Sequence, residues 1–104
     1  MNLNITARHF EVTDTLRDYT EKKLKKLEHY QHLITKTDIV LGEDASMKFA
    51  EGKISLRGNF VTAKTKSNDI YLAINLLADK LLKQIKTFDG KLKSKKRSPR
   101  EFAP

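Results

Sequence analysis

Apolar and polar positions follow two different periods along the chain, and the period changes predict its elements. A period of two predicts a β-strand over residues 2–9, whose covered face carries Leu3, Ile5 and Ala7. A helical period follows over residues 14–31 and gathers one apolar arc of Leu16, Tyr19, Leu24, Leu27 and Tyr30. Thr13 is the predicted N-cap, and Asp14 follows it in the first turn, where a negative charge suits the helix dipole.

Strand patterns return in the middle of the chain. Residues 36–41 are rich in β-formers and end at a turn signal that begins with Gly42. Residues 53–57 and 60–66 flank Gly58 and Asn59, which predicts a β-hairpin with a two-residue turn. The pattern of residues 45–52 is compatible with either a loop or an extension of a strand.

A second helical period begins at Asn68 and continues for about six turns. Its apolar positions are spaced by three and four residues, and they are Ile70, Ile74, Leu77, Ala78, Leu81, Ile85, Phe88 and Leu92. Either Ser67 or Asn68 can cap it, with Asp69 in the first turn. The predicted order is β-α-β-β-β-α, an α+β fold with two helices packed on one face of a four-stranded sheet.

The chain has 104 residues, enough for one hydrophobic core. Residues 1–93 form the predicted domain, and residues 94–104 lose the apolar period and accumulate charge, which predicts a flexible basic tail. There is no apolar run of the ~18 residues that a membrane-spanning helix needs, and the amino terminus alternates where a signal peptide would be apolar. We therefore expect a cytoplasmic protein.

Candidate chemistry is sparse. The chain has no cysteine, so a disulfide framework and a thiol nucleophile are excluded. No nucleophile elbow, phosphate-binding glycine loop or metal-ligand cluster occurs, so we expect neither an enzyme nor a cofactor. His29 and His32 have a spacing that suits a metal on a helix, but His32 is expected beyond the helix end and no carboxylate completes the set. We expect no metal.

Charge changes this picture. Twenty-one Lys and Arg against thirteen Asp and Glu give a net charge of +8 and a pI of about 9.8, which indicates a polyanionic partner. Residues 1–68 carry twelve basic and nine acidic side chains, whereas residues 69–104 carry nine and four. The positive excess is concentrated in the last third of the chain.

The angular position of each lysine predicts which charges are locally compensated. In the first helix, Asp18 with Lys22 and Glu21 with Lys25 are i,i+4 pairs in the favourable order. Lys23 falls inside the apolar arc and must extend to its edge, and Lys26 has no such pair. Both are left without a local partner. For Lys23 alone, simple coverage of apolar surface is the commoner explanation.

In the second helix, Lys80, Lys83 and Lys91 lie within roughly 80° of one another, with Gln84 and Thr87 between them. Lys86 and Lys93 point to another side, and only Asp79 and Asp89 offer nearby compensation. The alternative is an ordinary solvated helix face. Tyr19, Tyr30, Tyr71 and Phe88 are assigned to packing, which leaves single-strand recognition by exposed aromatic residues without support. The basic side chains favour recognition of nucleic-acid backbone and shape.

Four spaced motifs make the chain resemble a known family. They are N-I-T at residues 4–6, V-T-x-x-L-R-x-Y at 12–19, K-x-x-K-L-x-x-Y at 23–30, and D-I-Y-x-A-I-x-x-L at 69–77 with D-K-L at 79–81. Together, over residues 2–93, they are similar to the ribosome hibernation promoting factors and the related ribosome-associated translation inhibitor. The resemblance implies the same fold order, which is similar to that of double-stranded-RNA-binding domains.

The resemblance also implies a function. Members bind the small ribosomal subunit and its ribosomal RNA in the messenger and transfer RNA channel, and so block translation in starvation or stationary phase. The RNA-facing positions that it implies are Lys23, Lys26, Lys80, Lys83 and Lys91, with Lys22, Lys86 and Arg8 as secondary candidates. His29 and Thr87 occupy positions at which relatives can carry a basic residue. Lys86 is the candidate to replace the RNA contact at Thr87.

Several alternatives stay open. A short form, monomeric when free, fits the length best, but an excised amino-terminal domain of a long form has the same pattern, and the subtype is not decided. Two further functions remain: a generic double-stranded-RNA-binding module that acts away from ribosomes, and a protein adaptor whose lysines only confer solubility.

Overall fold

Two helices pack on one face of a four-stranded sheet, as the apolar periods predict. The computed structural model describes residues 2–97, with side chains described for residues 2–90. The elements are β1 (Leu3–Arg8), α1 (Asp14–Leu24), a 3₁₀ segment (Lys25–Tyr30), β2 (Ile34–Asp44), β3 (Met47–Leu56), β4 (Asn59–Ser67) and α2 (Ile70–Arg97). The predicted order β-α-β-β-β-α is confirmed.

The sheet has the order β1-β2-β3-β4, and only β1 and β2 run parallel. Its inner face carries apolar side chains of all four strands, which meet the apolar sides of both helices. Leu24, Leu27, Leu41, Ile54, Leu81 and Ile85 are among the fully buried members of this single core. The outer face of the sheet has no helix on it within the described residues.

The middle strands are longer than the sequence predicts. For residues 45–52 the sequence allows either a loop or a strand. In the structure only Ala45 and Ser46 form a turn, and β3 begins at Met47. Phe49 accounts for part of this extension, because its ring covers Gly42 of the neighbouring strand. A Cβ at Gly42 would lie 2.3 Å from Phe49 Cζ. The aromatic ring thus fills the space that the glycine leaves on the outer face.

The turn between β3 and β4 lies one residue earlier than predicted. Leu56 pairs with Asn59, so Arg57 and Gly58 form the turn, and the prediction of Gly58 and Asn59 is wrong. Gly58 has a φ of +69°, a conformation that glycine adopts without steric cost. The register of the whole hairpin follows from this position.

Thr13 caps α1 as predicted, since its Oγ1 accepts a hydrogen bond from Leu16 N at 3.1 Å. The regular α-helix ends at Leu24, however, and residues 25–30 continue as a tighter 3₁₀ segment. The tightening keeps Leu27 in the core and leaves Tyr30 partly buried. His32 lies in the turn beyond the helix, as predicted.

The start of α2 differs from the prediction. Asp69 is the N-cap, because its Oδ1 accepts a hydrogen bond from Tyr71 N at 3.0 Å, and Ser67 Oγ accepts one from Asp69 N. Neither Ser67 nor Asn68 occupies the cap position. The helix continues to Arg97, four residues past the predicted domain end, and residues 98–104 of the predicted tail lie outside the described residues.

Candidate nucleic-acid interface

The two helices lie side by side and run parallel, which makes their outward surface a single layer. The rings of Tyr19 in α1 and Tyr71 in α2 meet edge to face at 4.8 Å. About two turns further along, Lys26 Nζ in the 3₁₀ segment lies 2.5 Å from Asp79 Oδ1 in α2. Two contacts in the same order along both helices fix their parallel alignment.

Lys26 is therefore not without a partner, and that part of the prediction is wrong. The sequence separation of 53 residues hides the contact from any local pattern. The side chains of Lys26 and Asp79 are 33% and 62% exposed, so the pair stays in contact with solvent. An exposed pair of this kind contributes about 0–1 kcal/mol to stability. The Lys26 ammonium is held loosely at the surface between the helices.

Other lysines surround this pair. Lys22 lies in the last turn of α1, four residues before Lys26 in the 3₁₀ segment. Lys86 follows Asp79 by seven residues and so lies on the side of α2 that faces α1. Lys23 is half-buried, with its Nζ 5.4 Å from the centroid of the Tyr19 ring. Its stem therefore packs at the edge of the core while its charge stays outside, as predicted.

The predicted ion pairs within α1 do not form. Neither Asp18 with Lys22 nor Glu21 with Lys25 comes within 4.0 Å. The ion pairs of the described side chains, apart from the one between Lys26 and Asp79, lie within the sheet: Lys36–Asp38 at 3.8 Å, Lys64–Glu51 at 4.0 Å, Lys66–Asp44 at 3.7 Å, and Lys48–Glu43. The acids of the sheet thus pair with lysines of the sheet, whereas the helix lysines other than Lys26 have no ion-pair partner among the described side chains.

The ridge formed by Lys80 and Lys83 lies on the other flank of α2. Both side chains are exposed, and neither has an ion-pair partner among the described side chains. This flank meets β4, where Gln84 Nε2 donates a hydrogen bond to Thr62 O at 2.6 Å. Thr87 Oγ1 donates to Lys83 O at 3.1 Å, so the threonine hydroxyl is engaged with its own helix.

A concavity of about 360 Å³ separates the ridge from the β3–β4 hairpin. Its lining combines charged, amide, hydroxyl and apolar groups, contributed by Asn59, Val61, Lys83, Gln84, Thr87 and Phe88. Asn59 is the first residue of β4, so the tip of the hairpin stands beside the second half of α2. The hairpin and the ridge form one continuous surface.

Three remaining candidates lie elsewhere. Arg8 ends β1 on the outer face of the sheet, since Ile5 occupies the inward register, so it does not join the helix lysines. The backbone of Lys91 is in α2, but its side chain lies outside the described residues. His29 is exposed and its ring contacts Tyr30 edge to face at 5.0 Å. No group of three or more possible metal ligands occurs in the described part of the chain.

Four large apolar side chains of the described residues are exposed, and sequence reasoning singled out none of them as exposed. Phe60 is 56% exposed, and Leu72, Leu76 and Tyr71 lie on the surface of α2, although Tyr71 was assigned to packing. A signal for Phe60 was present, because Val61, Ala63 and Thr65 occupy the inward register of β4 and every second residue must then face outward. Within residues 2–97, no helix is both long and apolar enough to cross a membrane.

Comparisons with known proteins agree with this fold. Residues 3–93 match the model of the family described as Sigma 54 modulation protein / S30EA ribosomal protein. A ribosome hibernation promoting factor of Pseudomonas putida is 36% identical over 94 residues, which cover 90% of this chain and 92% of the relative.

Two solved structures share the fold. The N-terminal domain of Thermus thermophilus Protein Y is 36% identical with a TM-score of 0.78, and the match covers 85% of this chain and 99% of that one. A ribosomal subunit interface protein from Coxiella burnetii is 26% identical with a TM-score of 0.82, and the match covers 86% and 99%.

Proposed function

Because the chain belongs to the Sigma 54 modulation protein / S30EA ribosomal protein family, whose matched curated members are ribosome hibernation promoting factors, we propose that it binds the small ribosomal subunit in the channel that messenger and transfer RNA occupy. The family is a non-enzymatic kind of protein that acts in ribosome hibernation. Binding in this channel would block translation by occupying space, without a chemical step.

The distribution of charge carries the proposal. The acids of the sheet face lysines of the sheet, whereas on the helix layer Lys22, Lys23, Lys80, Lys83 and Lys86 have no ion-pair partner among the described side chains. A phosphate backbone supplies the missing negative charge and releases counterions when it binds. The helix layer is therefore the surface that we assign to ribosomal RNA.

Most of the proposed RNA contacts lie on this layer. Lys23 and Lys26 would face the RNA backbone from the side of α1, and Lys80 and Lys83 from α2. Lys91 is the further candidate of α2, and its side chain lies outside the described residues. Lys22 and Lys86 extend the α1 side, while Arg8 belongs to the opposite face and is a weaker candidate. A phosphate that approaches Lys26 competes with Asp79 for the same ammonium. Because the ion pair is exposed, its loss costs little free energy.

Co-sedimentation with purified small subunits tests the proposal. The variant Lys80→Gln plus Lys83→Gln removes two uncompensated charges, and we expect it to lose at least tenfold in affinity at moderate salt. The control, Lys64→Gln plus Lys66→Gln, removes the same charge from the outer face of the sheet and should bind like the unaltered protein. Equal binding by all three proteins, or no binding at all, would contradict the proposal.

Competition separates a ribosomal silencer from a generic duplex-binding module. Transfer RNA and messenger RNA should displace the protein from small subunits, because they occupy the same channel. An RNA duplex of equal charge should displace it only weakly. If the duplex displaces the protein as well as transfer RNA and messenger RNA do, the protein is a double-stranded-RNA-binding module, and the channel assignment is wrong.

The cellular setting follows from the same proposal. A protein that binds small subunits acts in the cytoplasm, and we propose that this one silences ribosomes under stress or in stationary phase and is monomeric when free. Sucrose-gradient profiles of ribosomes, with and without the protein, are the measurement. We expect fewer polysomes when the protein is present, and unchanged profiles would contradict a role in hibernation.

A further inference from the structure

Three of the four large apolar side chains that are exposed in the described residues lie together on α2. Tyr71, Leu72 and Leu76 are 37%, 47% and 41% exposed, and they occupy the first two turns of the helix. Leu72 and Leu76 are four residues apart, and Lys80 follows after four more, so the leucines continue the ridge of Lys80 and Lys83 towards the helix N-terminus. Single exposed apolar residues are common on protein surfaces, whereas a contiguous group is typical of a contact surface.

A concavity of about 290 Å³ adjoins this group, between the start of α1 and the start of α2. Phe10, Leu16, Ile70 and Tyr71 supply its apolar lining, and Glu11, Thr13 and Lys48 supply its polar lining. Lys48 is paired with Glu43, whereas Glu11 has no ion-pair partner among the described side chains. The concavity and the three exposed side chains of α2 together form the apolar end of the helix layer.

The charge of the helix layer changes sign along the helix axes. Residues 10–21 contain four acids and one cation, and residues 67–78 contain one acid and no cation, so the half of the layer at the helix N-termini is acidic. Beyond it, residues 22–26 contain four lysines and residues 80–88 contain three, with no acid in either segment and Asp79 at the boundary. Because α1 and α2 run parallel, the two acidic halves lie side by side at the apolar end.

The helix dipole accounts for only some of these acids. Asp14 and Asp69 stand at the positive ends of their own helices, where a negative charge stabilises the helix. This effect fades beyond the first turn, and so it does not explain Asp18 or Glu21, which are exposed and lie further along α1. Neither has an ion-pair partner among the described side chains. These carboxylates repel an RNA phosphate and attract a cationic group.

We propose that the apolar end of the helix layer docks a cationic polypeptide segment with apolar side chains, which a protein of the small subunit supplies. Leu72 and Leu76 would pack against the apolar side chains of this segment, one of which would enter the concavity beside Tyr71, while Glu11 and Asp18 would face its cations. The inference rests on the proposed function for the source of the segment. It divides the helix layer into an RNA-binding half, formed by the lysines, and a protein-binding half at the helix N-termini.

Binding to two targets tests the docking: purified small subunits, and the ribosomal RNA of that subunit freed of its proteins. Leu72→Gln plus Leu76→Gln removes apolar surface and keeps a similar helix propensity. We expect this variant to lose about tenfold in affinity for small subunits, because apolar burial is lost, and to bind the bare RNA like the unaltered protein. Lys80→Gln plus Lys83→Gln should lose affinity for both targets.

The matched control is Phe60→Gln. It removes a more exposed apolar side chain from the outer face of the sheet, and it should leave both affinities unchanged. Urea unfolding checks that every variant folds. Unchanged affinity of the variant with both leucines replaced for small subunits, or an equal loss on the bare RNA, would overturn the docking proposal.

A synthetic peptide provides a readout that is independent of ribosomes. A short peptide of arginine, glycine and leucine should shift the backbone amide signals of residues 71–76, and the same peptide with serine in place of leucine should not. Glu11→Gln plus Asp18→Asn should weaken binding of the leucine peptide several-fold. Equal shifts from the two peptides, or none from either, would contradict the docking of an apolar and cationic segment.

The two proposals can fail separately. If the unaltered protein does not bind small subunits while the leucine peptide still shifts residues 71–76, the assignment to ribosomes is wrong and the docking surface stands. If the protein binds small subunits and the variant with both leucines replaced binds equally well, the docking proposal alone is wrong.

Discussion

At the residue scale, Asp79 is an acid that contacts one of the lysines of the helix layer. It binds Lys26 and lies on the side of α2 that also carries Lys86. Its carboxylate lowers the positive potential of the proposed RNA-binding surface and occupies one of the implied contacts. The pair contributes little to stability because both groups are exposed. We therefore expect Asp79 to weaken RNA binding more than it stabilises the fold.

Substitution of this residue gives the first prediction. Asp79→Asn should raise affinity for small subunits several-fold, because Lys26 is released and a repulsive charge is removed. The free energy of unfolding should change by less than about 1 kcal/mol. Sedimentation and urea unfolding measure the two effects.

The matched control is Asp44→Asn, which breaks the 3.7 Å contact with Lys66 on the sheet and should leave binding unchanged. A loss of affinity in Asp79→Asn would mean that the carboxylate positions Lys26 for its contact with RNA.

At the element scale, Gly52 determines how closely α2 approaches the sheet. A Cβ at this position would lie 2.8 Å from Leu81 Cδ1 and 3.2 Å from Ile39 Cδ1. The space between β3 and α2 is thus filled by apolar side chains from both sides. The height of α2 above the sheet in turn positions Gln84 for its bond to Thr62 and Lys83 for the concavity beside Asn59.

Enlargement of this glycine gives the second prediction. Gly52→Ala should destabilise the fold by about 1–3 kcal/mol, the cost of overpacking a filled core. It should also displace α2 from β4, which backbone amide shifts at Thr62 and its neighbours would report. If the amide spectrum and the urea midpoint both stay unchanged, the close approach is not required.

A second glycine serves as its control. A Cβ at Gly58 would have no neighbouring atom within 4 Å. Gly58→Ala should therefore lower the free energy of unfolding only by the cost of its positive φ, about 1 kcal/mol. Its spectral changes should stay within the hairpin turn.

The apolar periods predict the existence, type and order of the elements, because burial of one face is a local constraint on each segment. They do not predict the change from α-helix to 3₁₀ helix at Lys25, which keeps Leu27 in the core although the 3.6-residue period is broken. Nor do they place the hairpin turn. An error of one residue there pairs Glu51 with Lys66, whereas the observed register pairs it with Lys64.

At the scale of the whole molecule, the charge is divided between two faces. Acids and lysines form ion pairs within the sheet, whereas most lysines of the two helices have no ion-pair partner among the described side chains. Sequence reasoning located the ridge of Lys80 and Lys83 because helical spacing is local. It missed the compensation within the sheet and the contact of Lys26 with Asp79, since both depend on tertiary neighbours.

The salt dependence of binding gives the third prediction. The slope of log affinity against log salt for small subunits should become shallower by about 1.5 in Lys80→Gln plus Lys83→Gln, if each lysine neutralises one phosphate. Lys64→Gln plus Lys66→Gln should leave the slope unchanged. Titrations over a range of salt concentrations measure both. An equal change in the two variants would mean that only the net charge matters and that the face does not.

The bond from Gln84 to Thr62 O has a consequence for self-association. An open strand edge is a template on which another chain can add a strand, and β4 is such an edge. Gln84 engages one of its carbonyl groups, and Lys64 and Lys66 place charge along the same strand. We therefore expect the helix that carries the proposed RNA contacts also to hinder the addition of a further strand at β4.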